Sequence, residues 1–346
     1  AIITVVIVAI LVLIVFKPKE NNEVNVAVEE NNQEENVTQE KTNSAENTPV
    51  ENHGKLSVKG KNIVDKNGEN FIIQGVSSHG IAWFPQYVNY ETFKTLRDNF
   101  NVNTIRLAMY SDRNAGYTES IHEKVSEGVE YAKQLGMYVI IDWHILNDNN
   151  PNQNKESAKK FFAEMTNKYK DYDNVIYEIC NEPNGNITWN DVYNYASEVI
   201  SVIRENSKNS IIIVGTPTWS QDIDKASEKP LSDNLVMYAL HFYSGTHKED
   251  LRKRLQNVLN KIPIFVSEFG VTDASGYGNI DLEEARIWIS FLEKNNISWI
   301  NWSLTNKNEG ASLLISNSSN NISEDYLSMS GKFIKEMLKN SFDNNN

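Results

Sequence analysis

The 346-residue chain is long enough for one large domain or two ordinary ones, and its 40% hydrophobic content supports a sizeable core. A net charge of −13 argues against a general nucleic-acid binder, which needs basic surface to face phosphate. Cys180 is the one cysteine, so no intramolecular disulfide can form.

In chain order, residues 1–16 are apolar apart from Thr4 and are followed by Lys17-Pro18-Lys19. This pattern fits either the h-region of a secretory signal or a transmembrane anchor. Residues 17–53 contain nine Glu against three Lys and no aromatic residue, which predicts a disordered acidic linker. The folded domain is expected over residues 54–340, with 341–346 as a disordered tail. Leu56–Val58 and Asn62–Val64, with Asn67-Gly68 after them, predict a short β-hairpin.

Eight short apolar runs follow, at Phe71–Val76, Thr104–Met109, Met137–Ile141, Val175–Ile179, Ile211–Val214, Leu235–Leu240, Ile264–Val266 and Ile297–Ile300. They are apolar on both faces, as buried parallel strands are. Stripes at helical spacing lie between them, such as Phe93/Leu96/Phe100, Ile121/Val125/Val129/Ala132 and Val192/Tyr195/Val199/Ile203. The connection over 218–230 is only weakly helical. This alternation predicts an α/β fold, a (β/α)8 TIM barrel preceded by the hairpin. A doubly wound open sheet is the structural rival, but no Gly-x-Gly-x-x-Gly follows the first strand.

Polar and aromatic residues gather after the strands, where a barrel of this kind places its active site. They include Ser77-Ser78-His79, Arg106 and Tyr110, Asp142-Trp143-His144, Asn181-Glu182, His241-Phe242-Tyr243, Ser267-Glu268 and Asn301-Trp302. There is no His-Glu-x-x-His or Cys-x-x-Cys, so no metal and no cofactor is expected. Glu182 and Glu268 lie just after the fourth and seventh runs, where those strands end. Glycoside hydrolysis needs one protonated and one ionised carboxyl flanking a sugar carbon. Arg106 beside Glu268 would favour its ionised form, and the Glu268 charge would push Glu182 towards its protonated form.

Together the segments Ile-Tyr-Glu-Ile-Cys-Asn181-Glu182-Pro183 and Ile-Phe-Val-Ser-Glu268-Phe-Gly resemble the acid/base and nucleophile motifs of glycoside hydrolase family 5. The surrounding residues are similar to those of its bacterial endoglucanases, over about Lys55–Lys339. The resemblance implies a retaining endo-β-1,4-glucanase with Glu182 as acid/base and Glu268 as nucleophile. It further implies that Asn181 holds the substrate 2-hydroxyl, that His241 bonds near Glu182, and that Tyr243 sits against Glu268. Trp302 would floor the sugar site, and His79, His144 and Tyr110 would line the same cleft. Lys307 and Glu309 match sugar contacts beyond the cleavage point, and Trp83 is expected as a stacking platform. Trp219 reads instead as a cap of the barrel mouth, and Trp288 and Trp299 as core.

The expected partner is a β-glucan polysaccharide, with mannan, xyloglucan and mixed-linkage glucan as alternatives. A surface carbohydrate-binding protein without catalysis is a reading from another class. An extracellular monomer is expected, secreted or tethered to a membrane by the N-terminal segment.

Overall fold

The computed structural model describes residues 47–320 and 322–344. The apolar stretch 1–16 and most of the acidic segment behind it lie outside the described residues. The first described element, α1 (Pro49–His53), falls inside the segment expected to be a disordered linker. Its helix is explained by a capping box: Thr48 and Glu51 satisfy each other's backbone N–H groups. Val50 N–H then bonds to Gly136 O at 3.0 Å, and Lys66 Nζ to Glu51 O at 2.7 Å, which ties α1 to the domain.

Strands β1 (Ser57–Lys59) and β2 (Asn62–Val64) form the antiparallel hairpin. Its turn is Gly60-Lys61, with Gly60 at φ 63°, rather than Asn67-Gly68. The Asn67-Gly68 turn instead folds the chain back so that Val64 bridges Asn70.

The barrel strands are β3 (Gln74–Ser78), β4 (Thr104–Tyr110), β5 (Tyr138–His144), β6 (Val175–Glu178), β7 (Ile212–Val214), β8 (Val236–Tyr243), β9 (Ile264–Gly270) and β10 (Trp299–Leu304). They pair in parallel and sequential order, and β10 closes on β3. The helices are α2 (Tyr90–Phe100), α3 (Ile121–Gln134), α4 (Lys155–Tyr169), α5 (Trp189–Asn206), α6 (Pro217–Ser220), α7 (Ile223–Glu228), α8 (Glu249–Val258), α9 (Leu282–Lys294) and α10 (Met329–Asn344). The predicted stripes are their buried faces: Phe93, Leu96 and Phe100 on α2, for example, are all in the core. The weakly helical fifth connection splits into the short pair α6 and α7. Helix α10 runs on past residue 340 to Asn344, as neither Gly nor Pro follows Gly331 in its first turn.

Apolar side chains divide by strand parity. On β5, Val139, Ile141 and Trp143 face the helices in the larger core cluster, while Tyr138 and Ile140 belong to a second cluster with Ile176, Ile213, Phe265 and Ile300. Leu56 and Ile63 from the hairpin join that second cluster and plug the barrel's lower end. Phe71 and Ile73, assigned to the first strand from sequence, also belong to this plug, so β3 starts at Gln74. The upper half of the interior is left for polar side chains.

Gly75 on β3 sits where the barrel is tightest: a Cβ there would lie 2.2 Å from Thr104 O and 2.6 Å from Ile300 Cδ1. Gly75→Ala is therefore expected to destabilise the barrel by roughly 1–3 kcal/mol through overpacking. Urea unfolding should show a lower midpoint with an unchanged slope.

Candidate active site

The two-residue period that sends Ile140 inward also sends Asp142 and His144 inward, higher up the same strand. Arg106, Ala108 and Tyr110 on β4 and His241 and Tyr243 on β8 follow the same parity. Strand β9 departs from it. Ala239 pairs with Phe265 and His241 with Glu268, so β9 holds one more residue than β8 across that interval. The same surplus appears against β10, where Trp299 pairs with Val266 and Asn301 with Phe269. This bulge lets consecutive residues Ser267 and Glu268 both turn into the barrel. Gly270 completes the arrangement, because a Cβ there would lie 2.4 Å from the Tyr243 ring.

At the centre is the Arg106 guanidinium, fully buried. Its Nε donates to Glu178 Oε2 at 2.7 Å, and its Nη2 donates to Glu178 Oε1 at 3.2 Å. Nη2 also reaches Asn181 Oδ1 at 2.5 Å and Asp142 Oδ2 at 3.0 Å. Nη1 reaches Glu268 Oε2 at 3.3 Å and Ser77 Oγ at 3.3 Å. The sequence reading pairs Arg106 with Glu268, but its shorter contacts go to Glu178 and Asp142.

Glu268 Oε1 accepts from Tyr243 Oη at 2.8 Å, and Glu182 Oε1 lies 2.9 Å from His241 Nδ1. Burial pushes Glu182 up to about 8, with Asp142 and Glu178 adding to the rise and Arg106 opposing it. Burial, then the Glu182 charge, pushes Glu268 up to about 7, while His241, Arg106 and the Tyr243 hydroxyl pull it down. Arg106 thus moderates the rise at Glu268 without reversing it, because it is shared among three carboxylates. Burial likewise raises Asp142 to about 7 and lowers His241 to about 4.

Asn181 is entirely enclosed in this network. Its Nδ2 donates to Ile145 O at 3.1 Å and lies 3.2 Å from His144 Nε2, while its Oδ1 accepts from Arg106. A sugar hydroxyl reaching Asn181 would have to share those bonds. His144 Nδ1 bonds to Asp142 Oδ2 at 2.6 Å.

Above the network opens a cleft of about 590 Å³, lined by Glu182, Glu268, His241 and Tyr243. Its floor is a continuous run of rings. Trp302 stacks on His144 at 5.2 Å and touches His79 at 5.1 Å, and Tyr110 joins His144 to Trp83. Lys307 Nζ pairs with Glu309 Oε2 at 2.6 Å at the cleft margin. Arg106 and Asn181 are the two sequence-predicted site residues that lie behind this lining instead of in it. Trp288 and Trp299 are core. Trp83 and Trp219 are about half exposed, at 48% and 46%, and both line the cleft, so Trp219 is more than a cap. Asn147, Gln221 and Ser275 also line it and carried no sequence signal, since they lie on loops outside any motif. Glu178 was missed as well, although a Glu inside an apolar run was a readable anomaly, and Ser267 was read only as the neighbour of Glu268.

Among the described residues, Glu182, His241 and Glu268 form one group whose potential ligand atoms lie within 4.8 Å of one another. Both ring nitrogens of His241 already have partners, Glu182 and Ser267 Oγ, the latter at 2.9 Å. A cation would have to break that chain, so the group reads as a proton-handling site.

A closed (β/α)8 barrel with two buried carboxyls facing each other at its C-terminal rim, over an aromatic floor, is an arrangement suited to glycoside hydrolysis. The model of the cellulase family, glycosyl hydrolase family 5, matches residues 64–308, and the chain belongs to that family. Endoglucanase 5 of Pectobacterium carotovorum subsp. carotovorum is 48% identical over 298 residues, covering 84% of this chain and 59% of the relative. An endoglucanase of Clostridium saccharobutylicum is 48% identical over 295 residues, covering 83% of this chain and 66% of the relative. The chain thus spans less than two thirds of the length of these relatives. Among solved structures, cellulase Cel5C_n superimposes with a TM-score of 0.82 at 42% identity, covering 85% of this chain and 94% of the other. The catalytic domain of Thermobifida fusca endoglucanase Cel5A gives 0.82 at 32%, covering 85% and 100%.

Tyr243→Phe removes a donor that favours ionised Glu268, so the Glu268 pKa should rise. The acid limb of the kcat/KM profile should then move to higher pH, and an unmoved limb would contradict the assigned hydrogen bond.

Proposed function

We propose that this chain is an endo-acting retaining β-1,4-glucanase in which Glu268 is the nucleophile and Glu182 the acid/base. The observation that carries the reading is the approach of the two carboxyls, with oxygens inside 4.8 Å. That spacing suits direct attack, for which carboxyls stand about 5–5.5 Å apart, whereas inversion needs about 6.5–9.5 Å to admit a water. Glu268 attacks the anomeric carbon as Glu182 gives its proton to the departing glycosidic oxygen. A water then attacks the same carbon, passes a proton to Glu182, and the bond to Glu268 breaks. Tyr243 and Arg106 hold the nucleophile by hydrogen bonds, and Asn181, His144 and His241 support the pair. Trp302, with His79, Tyr110 and Trp83, gives sugar rings flat faces to lie on, and Lys307 and Glu309 supply polar contacts at the margin.

Support for β-1,4-glucan comes from the relatives, which are named endoglucanases, and from the Thermobifida fusca catalytic domain, whose structure holds cellotetraose. A polymeric substrate places the enzyme outside the cell, exported or tethered through residues 1–16. Among the described residues no helix is long and apolar enough to cross a membrane. The domain is proposed to act as a monomer, because its cleft is lined within one chain.

The reading predicts that viscosity of a soluble cellulose derivative falls well before reducing sugar accumulates. NMR of the first product should show the β-anomer, and an initial α-anomer would mean inversion. Glu268→Gln should abolish turnover. Glu182→Ala should slow cellulose hydrolysis by about 10²–10⁴-fold and flatten the alkaline limb of the pH profile. Turnover should be greatest where Glu268 has lost its proton and Glu182 has kept its own, between their values of about 7 and about 8.

A further inference from the structure

We propose that Glu178, acting through Ser267 and His241, is a positioning residue that keeps the transferable proton on Glu182; this rests on the acid/base reading of Glu182. The chain of contacts has a direction that its chemistry dictates. Glu178 meets Arg106 through both carboxylate oxygens, so it accepts and does not donate. Ser267 Oγ stands 2.7 Å from Glu178 Oε1 and spends its single proton there. Towards His241 Nε2, at 2.9 Å, the hydroxyl is left as an acceptor, and Nε2 must carry the ring hydrogen.

Burial keeps the His241 ring neutral, so its other nitrogen, Nδ1, presents a lone pair. Glu182 Oε1 lies 2.9 Å from that lone pair, and the hydrogen between them belongs to Glu182. The opposite tautomer would aim an N–H at Glu182 and favour its carboxylate, emptying the acid of its proton near neutrality. With the tautomer set by Ser267, ionised Glu182 gains no donor from His241. In the first step the hydrogen on Glu182 leaves its bond to Nδ1 and passes to the leaving oxygen while the ring stays neutral, and the resulting carboxylate is a competent base for water in the second.

Other charges also bear on this pair. Arg106 from β4 opposes the rise at Glu182, and Asp142 from β5 and Glu178 from β6 add to it. Glu268 from β9 acts on His241 and on Tyr243, which faces both carboxyls. Glu178 and Arg106 also act on His241, which in turn acts on His144. Glu178 Oε1 also stands 4.0 Å from His241 Nε2 and favours a hydrogen there, but it is Ser267 that bonds to that nitrogen, and Glu178 orients Ser267.

Ring ¹⁵N chemical shifts of His241, assigned against a His241→Asn variant, test the tautomer in the unaltered protein. A protonated Nε2 and a lone-pair Nδ1 at neutral pH are expected, and a protonated Nδ1 overturns the proposal. In Ser267→Ala the ring should switch to Nδ1–H, and the alkaline limb of kcat/KM should fall by about one pH unit with the acid limb in place. Ser267→Thr, which restores the hydroxyl, should return it. A uniform loss of rate with the alkaline limb unmoved would show Ser267 to be merely structural. The ¹⁵N readout needs no turnover, so an expected tautomer in a protein whose Glu268→Gln variant still hydrolyses glucan would refute the nucleophile alone.

Discussion

One buried cation organises this site. Arg106 is wholly enclosed within the barrel and meets carboxylates from three other strands: Asp142 on β5, Glu178 on β6 and Glu268 on β9. Glu182 stands a short distance away. A guanidinium stays charged at any working pH, so the cluster always contains one positive charge. Four ionised carboxyls around it would leave three uncompensated negative charges in a poorly solvated interior, which is far too costly to persist. The cluster answers by retaining protons: burial is the first cause of the raised values of Asp142, Glu182 and Glu268, and neighbouring carboxylates add to it at Glu182 and Glu268. Removing Arg106 would therefore disturb the proton content of the whole barrel interior as well as one salt bridge.

The scaffold makes such crowding geometrically possible. Arg106, Asp142, Glu178 and His241 are strand residues with neighbours hydrogen-bonded on both sides, so their Cα positions are held by the closed ladder. The bulge in β9 adds the one irregularity that the chemistry needs, placing Ser267 and Glu268 on the same side. Loops contribute the outer cleft, where precision matters less and variation is tolerated. Thr218, Trp219 and Ser220, which make up most of the short α6 turn, all have φ near +55°, a left-handed conformation unusual for three successive non-glycine residues. It holds the Trp219 ring at the cleft margin.

Much of this was legible in the residues. Apolar runs of strand length alternating with helical stripes implied the barrel, and polar residues gathered after the runs located its mouth. The Asn181-Glu182 and Ser267-Glu268 motifs pointed to the central pair. What escaped did so for physical reasons. Strand ends were placed too early on β8, β9 and β10 because hydrophobicity stops where the site begins, while the hydrogen-bonded ladder continues through Tyr243, Gly270 and Leu304. The bulge cannot be read from a one-dimensional pattern, as it is defined by pairing with neighbouring strands. Asp142 and Glu178 sit within or beside runs of Ile, Val and Tyr, and their purpose appears only once Arg106 is brought between them. The Thr48/Glu51 capping box was visible in the text, but the acidic composition around it masked the signal.

The division of labour proposed for two identical side chains then follows from what each oxygen faces. Glu268 receives hydrogens from Tyr243 Oη and Arg106 Nη1, so its surroundings supply donors to a negative charge. Glu182 faces His241 Nδ1, which the chain through Ser267 and Glu178 leaves without a hydrogen. Bringing the carboxyls together forces them to share a proton, and the hydrogen-bond directions decide which of them holds it. Either carboxyl in the other's place would be the wrong species for the step proposed for it. The asymmetry is built into strand positions below the cleft, so it exists before any sugar binds. Changes confined to the cleft loops can therefore alter which glycan is held while leaving the proton on Glu182.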